Sequence, residues 1–78
     1  MPRTQPSIRE QFGMRVRELR LAADLTQDEL AYRADLDRSY VGQVERGEIN
    51  ISIDNIGKLA KGLRVRPAAL FETADSRS

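Results

Sequence analysis

The chain has 78 residues, room for one small domain when about 100–200 residues per domain is usual. Hydrophobic residues make up 40% and charged residues 32%, the balance of a folded, water-exposed chain rather than a disordered or membrane-embedded one. It contains no Cys and no His, which excludes thiol chemistry, zinc fingers, imidazole bases and disulfide staples, and no metal or cofactor is expected. No apolar run approaches the roughly 18 residues of a membrane helix, and the stretch Met1–Ser7 has no signal-peptide core. The net charge of +1 conceals an uneven arrangement: eleven of the thirteen cations are Arg. Arg3, Arg9, Arg15, Arg17 and Arg20 cluster before residue 21, opposed by Glu10 and Glu18. Arg suits forked contacts with phosphate and guanine, yet a solvated helix face accounts for arginines equally well. Composition alone leaves nucleic-acid binding undecided.

Residues 1–7, with Pro2 and Pro6, read as a loose N-terminal arm. From Ser7, a good helix cap, Ile8, Phe12, Val16, Leu19 and Ala23 recur on one stripe of a first α-helix. Thr26-Gln27-Asp28-Glu29 forms a capping box for a second helix, with Leu30, Ala31 and Ala34 inward. Asp35 falls where that helix must stop, and Asp tolerates the left-handed conformation better than most residues. Asp37 is placed to cap a third helix from Arg38 to about Arg46, ended by Gly47. Ser52 opens a fourth, with Ile53, Ile56, Leu59, Ala60 and Leu63 on its inner face. Pro67 starts a fifth, Ala68 to Glu72, with Leu70 and Phe71 inward, and residues 73–78 read as a frayed tail. The expectation is an all-α fold of five short helices.

The third helix carries the most information. At about 100° per residue, Arg38, Ser39, Gly42, Gln43 and Arg46 share an arc of about 140° that contains no acid. Val41 and Val44 lie on the other side, within reach of Leu19, Leu30 and Ala31. Such an outer face fits a major groove: Arg reads guanine, Gln reads adenine, and Ser meets either phosphate or base. Gly42, near the middle of the arc, would let the backbone approach the base edges. Gln27 and the N–H groups opening the second helix are placed to hold a phosphate.

The motifs R-x-L-R (Arg17–Arg20), L-T-Q-x-E-L-A (Leu25–Ala31) and V-x-x-V-E-R-G (Val41–Gly47) resemble the lambda-repressor/Cro-like (XRE) helix-turn-helix family. The segment from Leu36 to Gly47 looks most like the controller proteins of restriction–modification systems. The resemblance covers about residues 8–72. It implies that Arg38, Ser39 and Gln43 read base edges, and that Gln27, Tyr40, Arg46, Asn50 and Ser52 contact the DNA backbone. It also implies a structural ion pair between Arg20 and Glu45. Two positions depart from the family pattern: Asp35 stands where Gly is common, and Arg66 where a Ser or Asp cap is usual.

Other residues read more plainly. Phe12 and Phe71 look like core; Tyr32 lies on the outer half of the second helix; Lys58 and Lys61 belong to a solvated face, and Arg17 reads as solvated in preference to a phosphate contact. Asp28 and Glu29 favour the N-terminal dipole of the second helix, and adjacent helical residues point too far apart for a catalytic dyad. Nothing resembles a nucleophile with its base, so no enzyme is expected. The resemblance implies a cytoplasmic, sequence-specific transcription regulator that binds double-stranded DNA as a homodimer, with RNA polymerase as a further partner a regulator would meet. Self-association would use the fourth and fifth helices and their loop, in part through Ile49, Ile51, Val65, Leu70 and Phe71, the alternative being that these same residues are all core. The few residues after position 65 leave no room for an effector pocket, so no small-molecule ligand is expected. An antitoxin-type interaction module that also binds DNA is the alternative.

Overall fold

A computed structural model describes residues 5–72; residues 1–4 of the expected arm and the expected tail, 73–78, lie outside the described residues. Four α-helices follow one another: α1 (Ile8–Ala22), α2 (Gln27–Ala34), α3 (Arg38–Glu45) and α4 (Ile53–Leu63). The last element, Pro67–Phe71, is a 3-10 turn rather than a fifth α-helix. Arg66, at its cap position, supplies no side-chain hydrogen bond, and its start is organised by the fixed φ of Pro67 and the Ala69 N–H donating to the Arg66 carbonyl at 2.9 Å.

Local chemistry accounts for the helix ends. Ser7 and Glu10 form a reciprocal capping box on α1, and Thr26 and Glu29 form another on α2. Ser52 Oγ accepts from the Asn55 N–H at 3.2 Å and caps α4. Asp37 occupies the cap position of α3 in extended conformation, but its side chain makes no capping hydrogen bond.

Each α-helix then closes through a left-handed residue: Asp24 (φ 60°), Asp35 (φ 57°), Gly47 (φ 73°) and Arg64 (φ 60°). In each case the next N–H donates to the carbonyl five residues back: Leu25 to Arg20, Leu36 to Ala31, Glu48 to Gln43 and Val65 to Ala60. This is the Schellman closure, which satisfies carbonyls that the helix end would otherwise orphan. Leu25, Leu36 and Val65 are apolar and pack on or into the core, so a local turn also anchors the following segment.

The core gathers Phe12 and Val16 of α1, Leu30, Ala31 and Ala34 of α2, Val41 and Val44 of α3, Leu59, Ala60 and Leu63 of α4, and Leu70. Two glycines set how closely helices approach. A Cβ at Gly13 would come 2.6 Å from the Glu45 carbonyl oxygen, so α1 and α3 meet at backbone distance there. A Cβ at Gly62 would lie 3.1 Å from the Ala34 nitrogen, where α4 crosses α2.

Four residues expected on inner faces are exposed, one of them Ala23, just past the end of α1. Ile53 and Ile8 are the first residues of α4 and α1, and both are exposed. Side chains in a first turn lean back toward the helix N-terminus, beyond the packed body. Phe71 is 52% exposed although its ring lies 5.2 Å from that of Phe12. In the tighter 3-10 turn only Leu70 points fully inward.

Candidate nucleic-acid interface

Helix α3 is held by its inner valines, Val41 at 0% and Val44 at 3% exposure. Its outer surface presents Arg38 and Ser39 to solvent, and Gln43 in part. The three expected base readers therefore lie on an accessible edge of a helix whose opposite side is locked to the body.

Gly42 departs from expectation. It is buried, because the Arg46 guanidinium and the Gln27 side chain lie over it: a Cβ there would sit 3.1 Å from Arg46 Nη1 and 3.7 Å from Gln27 Oε1. Its missing side chain leaves room for the Arg46 guanidinium rather than baring the backbone. Arg46 is itself held by Glu48, with Nε donating to Oε2 at 2.8 Å and Nη2 to Oε1 at 3.2 Å. The Arg46 hydrogen bond holds the Glu48 carboxyl below the usual range, and Glu48 in turn raises the Arg46 pKa.

Beneath this surface lies a buried ionic cluster. Arg20 Nε donates to Glu45 Oε2 at 2.6 Å and Nη2 to Oε1 at 3.0 Å, while Nη1 donates to the Leu25 carbonyl at 2.9 Å. Gln27 Nε2 donates to Glu45 Oε1 at 2.9 Å. Gln27 is thus half-buried and oriented by the same carboxylate that pairs with Arg20, which ties α1, α2 and α3 at one point. The hydrogen bonds from Arg20 to Glu45 raise the Arg20 pKa further, against the opposing cost of burial.

The remaining expected backbone contacts sit on the α3–α4 side. Tyr40 is half-buried, and its hydroxyl accepts from Asn55 Nδ2 at 2.9 Å. Asn50 is exposed in the loop, and Ser52 already serves as the α4 cap. Sequence reasoning missed Asn55, whose backbone and side chain link Ser52 to Tyr40. It also missed Glu48, only two residues from its Arg46 partner. A further charge reaches the edge of α3 from α2: Asp28 Oδ1 lies 3.2 Å from Arg38 Nε, both side chains well exposed. The arc of α3 carries no acid of its own, but its neighbour supplies one.

Of the residues expected to serve self-association, Ile49, Ile51 and Val65 are partly buried and Phe71 is exposed. Leu70 is a correction: at 0% exposure it is part of the core and has no surface to offer a partner. Ile49, Ile51 and Phe71 line an apolar groove of about 170 Å³ with Ile8, Phe12 and Ile56. Among the described residues no three acidic side chains gather as a metal site would require, and no helix is long and apolar enough to cross a membrane.

The chain matches a family model described as helix-turn-helix (HTH_3) over residues 16–70, in keeping with two short helices joined by a left-handed turn, the second with an exposed outer face. The chain belongs to the helix-turn-helix family. It is 43% identical over 67 residues to the control protein C.BamHI of Bacillus amyloliquefaciens, covering 85% of this chain and 83% of that protein. Its fold is similar to the restriction-modification controller protein C.AhdI from Aeromonas hydrophila, with a TM-score of 0.80 and 54% identity over 81% of this chain and 96% of the other. A hypothetical transcription factor from Neisseria, NHTF, superposes with a TM-score of 0.86 at 34% identity, covering 99% of this chain and 92% of that one. Within the helix-turn-helix, α2 and α3 are the paired helices and Asp35 is the turn residue that bends one into the other.

Proposed function

We propose that this protein is a sequence-specific DNA-binding transcription regulator of the restriction–modification controller type, acting as a homodimer on a pseudo-palindromic operator. One observation carries the reading: Arg38, Ser39 and Gln43 form an accessible edge of a helix anchored by Val41 and Val44. In this reading those three side chains meet base edges in the major groove. Gln27, Tyr40, Arg46, Asn50 and Ser52 then set register on the phosphate backbone. The likeness to control proteins supports the biological role.

The homodimer follows from energetics. One bidentate contact discriminates by about 1–3 kcal/mol, too little for one eight-residue helix to outcompete genomic DNA. Two helices related by a two-fold axis would read half-sites about 34 Å apart. The groove beside Ile49, Ile51 and Phe71, with Val65 nearby in the chain, is the surface assigned to the partner. Regulation then runs through protein concentration, by monomer–dimer mass action, without a small-molecule effector. A cytoplasmic location and contact with RNA polymerase belong to the same reading.

Selection of preferred sites from random duplexes tests it. The expected result is a two-fold symmetric motif with half-site centres one helical turn apart. Arg38→Ala should relax one base position in each half-site, and Gln27→Ala should weaken binding to all duplexes alike. A chain that enriches no sequence would overturn the reading.

A further inference from the structure

Arg38, read as a base contact, is the first residue of α3, where the helix dipole disfavours a cation and a long side chain has many rotamers. The side chain of Asp37, just before it, makes no capping hydrogen bond. The group that meets the guanidinium is Asp28 of α2, ten residues earlier in the chain, at 3.2 Å from Nε. Asp28 is the position that the pattern L-T-Q-x-E-L-A leaves open. It is also unneeded for capping: Thr26 and Glu29 complete the α2 box between them. A carboxylate on a surface that must approach phosphates weakens binding to every duplex, unless it does something there that favours the right one.

We propose that Asp28 is a positioning residue for sequence discrimination. By engaging Arg38 at Nε, it holds the guanidinium so that its Nη1/Nη2 end is presented to the O6 and N7 acceptors of a guanine. Its charge also opposes general attraction to the phosphate backbone. Asp28 therefore exchanges overall affinity for specificity at one base pair of each half-site. An exposed ion pair contributes little to folding, so its consequence is expected in recognition rather than in stability. The proposal rests on the reading that α3 enters the major groove.

The test is a double-mutant cycle with Asp28→Asn, Arg38→Ala and the pair. Each protein is titrated against the selected operator, operators altered at each base pair, and a random duplex. Asp28→Asn should lower discrimination at the base pair identified by Arg38→Ala by about five-fold, the lower end of what one bidentate contact supplies. Its affinity for the random duplex should rise. In the Arg38→Ala background the same substitution should raise affinity for all duplexes equally and change no preference. If Asp28→Asn raises affinity uniformly in both backgrounds, with zero coupling at that base pair, the two side chains act independently and the proposal fails. A wild-type protein that selects no operator would instead sink the DNA reading itself, so the two failures are distinguishable.

Discussion

Arg20 reaches across from α1 to grip Glu45 at the end of α3, with two hydrogen bonds of 2.6 and 3.0 Å between side chains that are 9% and 4% exposed. The pair is fully satisfied: Arg20 also bonds the Leu25 carbonyl, Glu45 also accepts from Gln27, and no buried polar side-chain atom among the described residues lacks a partner. Charges removed from water gain stability only with that completeness.

Breaking the pair from one side should therefore be expensive. Arg20→Leu or Glu45→Leu is expected to lower the unfolding free energy by about 3–5 kcal/mol, because the partner charge is left buried and unpaired. The double substitution should cost less than the sum of the singles. Chemical denaturation of the four proteins checks this, and an additive result would mean the charges do not sense one another.

Gly13 and Gly57 make a paired prediction. A Cβ at Gly13 would meet the Glu45 carbonyl oxygen at 2.6 Å, whereas a Cβ at Gly57 has nothing within 4 Å. Gly13→Ala should destabilise by roughly 1–3 kcal/mol or more, as overpacking does, and should displace α3 enough to weaken duplex binding. Gly57→Ala, in the interior of exposed helix, should stabilise by about 0.5–1 kcal/mol. Thermal melts and duplex titrations of the two variants should move in opposite directions for stability, with binding lost only in the first.

Asp35 holds the left-handed turn of the helix-turn-helix at φ 57°. Asp35→Gly should leave the turn intact and relieve strain, with a gain of no more than about 1 kcal/mol because glycine also loosens the unfolded chain. Asp35→Val should lose roughly 1–2 kcal/mol, the cost of the left-handed conformation for an ordinary side chain. Equal melting temperatures for the Gly and Val variants would show that the turn carries no strain.

Acid should loosen the helix ends. Hydrogen bonds from the Thr26 backbone and hydroxyl hold the Glu29 carboxyl below its usual range, and the Arg46 hydrogen bond does the same for Glu48. A carboxylate whose pKa is depressed by folding contributes stability that is present above the unfolded pKa and lost as pH falls through the folded one. The melting temperature should thus be flat above about pH 5 and decline as the pH drops below the usual carboxylate range, near 4. Glu29→Gln and Glu48→Gln should each make that decline shallower.

The sequence by itself determined what depends on neighbours three to five residues apart. Ser7, Thr26 and Ser52 start helices, Asp35 and Gly47 end them, and the spacing of Val41 and Val44 decides which side of α3 faces in, since caps, left-handed turns and helical periodicity are short-range. It could not say that Phe71 faces out while Leu70 beside it faces in, because five residues fit an α-turn and a 3-10 turn alike. Nor could it reveal that Asp28 meets Arg38, that Asn55 supports Tyr40, or that Gly42 lies beneath Arg46 and Gln27. Most of those contacts join different helices, and they depend on the distance between α2, α3 and α4. Such a distance is set by the packing of the whole core, so only the tertiary structure decided it.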